Sequence, residues 1–276
     1  MNDLTTEVKK LEIETLDNLK LSKAKNTVRA YRSDFNDFAL FCTKHNLKSL
    51  PSDPKIISIY LTHLSKNSKF STLKRRLASI NMMHRYKGHY LDSKHPIIVE
   101  NLIGIKRQIG VYQKAKKPLL FNDIKAIIKQ IDQSSGNSSK KQRDKALILI
   151  GFAGGFRRSE LVSITKEDVE FVKEGVKIFV KKSKSDQSGE GMTKAIPSFK
   201  YNDYCPVENL RLWMFENRND RIFAISDKNV ARISKKYALQ AGFDDKKYAG
   251  HSLRSGFATT TAESGASERN IMAMTG

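Results

Sequence analysis

At 276 residues the chain is long enough for two domains of ordinary size. Fifty Lys and Arg against 29 Asp and Glu leave a net charge of +21, which favours a polyanion, nucleic acid before an anionic membrane. A membrane is the weaker choice, because no apolar run approaches the roughly 18 residues a spanning helix needs and the N-terminus lacks a signal-peptide layout. Two well-separated cysteines, Cys42 and Cys205, lack metal-ligand partners at useful spacing. They argue against a zinc site and for a reduced, cytoplasmic compartment.

The first half reads as helix throughout. Val28, Tyr31, Phe35, Phe38 and Cys42 recur at three- and four-residue steps, predicting a helix over about 25–45. Pro51-Ser52-Asp53-Pro54 breaks the chain and opens a second helix with Ile56, Ile57, Tyr60, Leu61 and Leu64 on its apolar face. A third begins at Ser71-Thr72 and buries Leu73, Leu77, Ile80 and His84, while Lys74, Arg75 and Arg76 occupy its other side. A fourth starts near His95-Pro96 and carries Ile97, Ile98, Leu102 and Ile105. Four such stripes can close a small core. Lys74, Arg75, Arg76, Arg85, Lys106 and Arg107 are the candidate DNA contacts, against the plain alternative of a solvated helix face. The histidines from His63 to His95 lack ligand spacing. A basic stretch over 105–118, ending at Pro118, marks the boundary between domains.

The second half mixes types. Ile124, Ile127, Ile128 and Ile131 predict a helix, and Ala146–Phe152 an apolar one ending at Gly154-Gly155. Arg157 follows that turn, and Ser159-Glu160-Leu161-Val162 opens the next helix. Val169, Phe171, Val176, Ile178 and Val180 then alternate with polar residues as strands do. A turn over 184–191 leads to Ala195-Ile196-Pro197, and helices return at 206–216, 227–241 and from His251 onward. The expectation is an all-α N-terminal domain and an α+β, mainly helical C-terminal domain with a small antiparallel sheet.

Two arginines and a histidine, Arg157 and His251-Ser252-Leu253-Arg254, are what one would assemble to hold a phosphodiester. A guanidinium offers a planar fork that fits phosphate oxygens and never loses its charge. Gly-Phe-Arg157-Arg-Ser-Glu160-Leu, Ser183-Lys184-Ser185-Asp186-Gln187 and Gly250-His251-Ser252-Leu253-Arg254 together resemble the tyrosine recombinases, the phage-integrase family. Asn26-Thr27-Val28-Arg29-Ala30-Tyr31, continuing through Phe38 and Phe41-Cys42, adds to the likeness.

The resemblance implies a core-binding domain over 20–112 and a catalytic domain over 115–276, closing as a clamp on double-stranded DNA and self-associating there. It implies metal-free transfer of a DNA phosphodiester to a tyrosine, with no cofactor. Arg157 and Arg254 would hold the phosphoryl oxygens, Lys184 would protonate the leaving oxygen, and His251 would bond the phosphoryl group or take the nucleophile's proton. Glu160 would orient Arg157. On chemistry alone Arg158 competes with Arg157, and Lys181, Lys182 and Lys194 compete with Lys184; motif position favours Arg157 and Lys184. The family's nucleophilic Tyr follows His-x-x-Arg, and no tyrosine follows Arg254 here. The sequence therefore predicts a recombinase or integrase by descent, truncated before its nucleophile and unable to cleave alone. The alternative is a catalytically dead DNA-binding relic or competitor at recombination sites. A general RNA- or ribosome-associated basic protein is the third reading, disfavoured by the ordered motif set.

Overall fold

A computed structural model of the chain describes residues 2–21, 24–111, 116–183, 186, 189–200, 202–248 and 250–276. It divides into two compact units, Met1–Gln113 and Lys114–Gly276.

The first unit is helical: α1 (Asn2–Leu21), α2 (Lys25–Lys44), α3 (Pro54–Ser65), α4 (Phe70–Tyr86) and α5 (Pro96–Ile109). The last four are the helices expected from the apolar stripes, and they supply the core. Phe38 and Cys42, Ile57, Tyr60 and Leu61, Leu73 and Ile80, and Ile98 and Ile105 meet there. Helix α1 was not anticipated; its Val8, Leu11 and Ile13 stay exposed. Start signals act as their chemistry requires. The Asp53 carboxylate accepts the Lys55 N–H at 2.7 Å ahead of Pro54, and the His95 ring accepts the Ile97 N–H ahead of Pro96. A buried carboxylate, Asp34, fastens α2 to α4: it pairs with Arg75 and accepts from the Ser79 hydroxyl at 2.8 Å.

The second unit contains α6 (Phe121–Gln133), α7 (Ser138–Ala153), α8 (Arg158–Ser163), β1 (Val169–Val172), β2 (Gly175–Val180) and β3 (Met192–Pro197). After the sheet come α9 (Pro206–Glu216), α10 (Asp227–Gln240), α11 (Ser252–Glu263) and α12 (Glu268–Thr275). The strands form an antiparallel sheet in the order β1-β2-β3, so the unit is α+β and mainly helical, as expected. Helix α7 is apolar on several sides because it separates two cores. Ala146, Leu147 and Ile150 join the cluster under the sheet, whereas Ile148, Leu149 and Phe152 join α6 and α10. That central helix delivers the Gly154-Gly155 turn to the site. Helix α11 is tied down at its first residue, where the Ser252 carbonyl accepts the Leu119 N–H at 3.0 Å.

Candidate phosphate-binding site

The site is built on the turn between α7 and α8. Gly155 has φ +55°, and a Cβ there would lie 2.9 Å from the Phe257 ring, so a side chain is excluded on both counts. The turn sends Phe156 into the core and leaves Arg157 as the N-cap of α8. Glu160, almost wholly buried, holds Arg157 twice. Its Oε2 accepts the Arg157 backbone N–H at 2.9 Å, the acidic half of a capping box, and its Oε1 accepts from Nη1 at 2.7 Å.

Arg254 arrives from α11 on the far side of the turn. Its Nη1 donates to the Gly155 carbonyl at 3.1 Å. Its Nη2 and the Nη2 of Arg157 both donate to one oxygen, the Gly276 carbonyl, at 2.9 and 2.8 Å. Two guanidinium groups from distant segments therefore converge on one oxygen of the last residue, Gly276. Burial lowers the pKa of Arg254, as does neighbouring Arg157, while Glu160 opposes the shift. The guanidinium stays charged throughout the working range.

His251 is the exposed N-cap of α11, three residues before Arg254 and so on the same side of the helix. The adjacent arginines separate cleanly. A Cβ on Gly250 would lie 2.3 Å from the Arg158 Cδ, so Arg158 lies along the segment leading to His251 while Arg157 meets Arg254.

Residues 117–276 match the phage integrase family, and residues 14–89 match its N-terminal SAM-like domain. The chain belongs to the phage integrase family. It is 36% identical to an integrase/recombinase xerD homolog of Selenomonas ruminantium, over 96% of this chain and 82% of that protein. Among solved structures, the fold resembles the Tn1549 transposon integrase in complex with transposon right end DNA. That likeness has a TM-score of 0.64 and 14% identity, over 92% of this chain and 86% of that one. It also resembles a lambda integrase tetramer bound to a Holliday junction, with a TM-score of 0.58 and 16% identity, over 91% and 71%.

The remaining candidates divide unevenly across this integrase fold. Lys184 lies outside the described residues, as do Ser185, Gln187, Ser188 and Tyr201. The Asp186 carboxylate accepts the Gly189 and Gly191 N–H groups, both at 2.8 Å. Lys181 is drawn into a 3.1 Å pair with Asp168 and another with Glu167. Lys194 is fully buried beneath the site. In the first unit, Lys74 and Lys106 line a cleft of about 610 Å³ together with Lys66 and Lys69. Arg75 and Arg76 instead face Asp34, and Arg76 also lies 3.3 Å from Asp37. Arg85 and Arg107 are exposed. Among the described residues no cluster of three His, Cys, Asp or Glu could hold a metal, and no helix is long and apolar enough to cross a membrane.

Sequence reasoning missed the structural place of Lys194. The signal was present: it alternates in step with Ile196 on β3, and Ile196 faces the core.

Proposed function

We propose that the chain binds duplex DNA and seats one phosphodiester between Arg157 and Arg254, as a site-specific recombinase or integrase does before transfer to a tyrosine. The observation that carries this reading is the arrival of both guanidinium groups at one turn, Arg157 held by Glu160 at 2.7 Å and Arg254 held by the Gly155 carbonyl at 3.1 Å. Glu160 keeps Arg157 in place, and His251, on the same side of α11, supplies a further donor or base at the phosphoryl group. Lys184, on the segment between β2 and β3, is the proposed acid for the leaving oxygen. The roles match family membership and the order of the motifs along residues 117–276.

The proposed domains are a core-binding domain over 20–112 and a catalytic domain over 115–276. In the first, Lys74 and Lys106, with Lys66 and Lys69, give the cleft a positive rim suited to phosphates. Arg85 and Arg107 extend that basic surface. Self-association on DNA is proposed by likeness to the lambda integrase tetramer on a Holliday junction. The proposed setting is the cytoplasm, at the nucleoid.

Duplex binding tests the reading. Affinity should fall steeply with salt, with a log–log slope of roughly 0.9 per neutralised phosphate. A gel-shift titration in which affinity does not change with salt would contradict it.

A further inference from the structure

Lys194 has no role among the motifs, and its burial asks for one. It sits on β3 opposite Ile178, with its side chain wholly enclosed. An ammonium is costly to bury, and such a group persists where its donors are satisfied or its charge is used. Its Nζ donates to the Gly154 carbonyl at 2.9 Å and to the Met274 carbonyl, and lies 4.8 Å from the centre of the Phe156 ring. No carboxylate is hydrogen-bonded to it among the described residues; Glu160, the nearby acid, is engaged with Arg157.

The two acceptors are the informative feature. Gly154 precedes Gly155, whose carbonyl holds Arg254. Met274 lies two residues before Gly276, the last residue, which Arg254 and Arg157 both reach. One ammonium thus joins the two backbone segments that frame the proposed phosphate seat. An ordinary core position here would carry an aliphatic residue like Ile196, which has the same facing and makes no such link.

We propose that Lys194 is a positioning residue of the phosphate seat, locking the Gly154-Gly155 turn to the segment at Met274 and adding a positive charge behind Arg157 and Arg254. The proposal rests on the reading that those arginines hold a phosphodiester. The charged groups facing Lys194 are Glu160 from α8, Arg157 from the preceding turn and Arg254 from α11. Burial pulls the Lys194 pKa down to about 8; Glu160 pushes it up, and Arg254 and Arg157 push it down. A raised pH should therefore remove this charge while both arginines keep theirs. The seat would weaken over a range in which free lysine stays protonated.

Sulfate is a suitable probe, because it stays a dianion throughout. It would be titrated into the full 276-residue chain at pH 7 and pH 9.5, following the ¹³Cζ signals of Arg157 and Arg254 by NMR. In the wild type, sulfate affinity at these two signals should fall roughly three- to tenfold between the two pH values, the scale of losing one nearby charge. Lys194→Met should bind weakly at both, and Lys194→Arg should bind with little pH dependence. Wild-type affinity unchanged with pH would overturn the proposal, as would a folded Lys194→Met chain that binds like wild type at pH 7. If the variants do not fold, the wild-type profile still decides. Failure of sulfate to move either arginine signal at pH 7 would instead remove the phosphate seat itself.

Discussion

His84 is buried in α4 with both ring nitrogens committed. Nε2 accepts the Ser52 backbone N–H at 2.9 Å, and Nδ1 meets the Ile80 carbonyl at 2.9 Å, which fixes the neutral tautomer with Nδ1–H donating. Protonation would turn the acceptor towards Ser52 into a second donor and place a charge in the core. Burial accordingly lowers the His84 pKa. A depressed histidine contributes stability that is fully present above its unfolded pKa, about 6.5. That stability is lost as pH falls from there through the lower folded value. Hydrogen exchange at the Ser52 amide should therefore lose protection between pH 7 and pH 5, beyond the intrinsic pH effect on exchange. Protection that holds steady would contradict the assignment. The burial of His84 was legible, because it continues the stripe of Leu73, Leu77 and Ile80. The choice of Arg157 over Arg158 came from motif spacing alone. In the structure the Arg158 side chain runs against Gly250, a residue far away in sequence that no local pattern links to it.

Between elements, Asp34 is a buried polar fastening of the first unit. It faces Arg75, Arg76 and Ser79 of α4 while almost fully buried. Removing a buried carboxylate strands its partners, at a cost of roughly 3–5 kcal/mol for a fully buried pair. Arg75 is about half exposed, its side chain retaining 45% of its accessible surface, so part of that cost is relieved by water. Asp34→Ala should lower the stability of the first unit by about 2–3 kcal/mol, read from urea unfolding of α2–α4. A loss below about 0.5 kcal/mol, the range of ordinary surface substitutions, would show that the pairing is incidental. This fastening also explains why Arg75 and Arg76 looked like free basic residues in the sequence. Their partner sits on another helix about forty residues earlier, and no local pattern reports it. Helices α2 to α5 were legible because each has a stripe that finds a partner in one core. Helix α1 was missed because its described apolar residues find none. The first two strands showed their period of two; the third is legible only as Ala195-Ile196-Pro197 after a turn, so Lys194, a charged residue on an inward-facing position, was not placed.

Across the molecule, two separately cored units carry basic surface, and the second gathers Arg157, Glu160 and Arg254 from α8 and α11 around a turn set by α7. We propose that Arg157 and Arg254 act as one fork on one phosphate. Replacing each by lysine keeps the net charge, and with it the long-range attraction to DNA, while removing the planar fork. A double-mutant cycle of Arg157→Lys and Arg254→Lys, measured as duplex affinity at fixed salt by fluorescence anisotropy, isolates their coupling. Each single variant should weaken binding several-fold with the salt slope unchanged, and the double variant should lose clearly less than the product of the two. Strictly multiplicative losses, or affinities indistinguishable from wild type in all three variants, would contradict a shared phosphate.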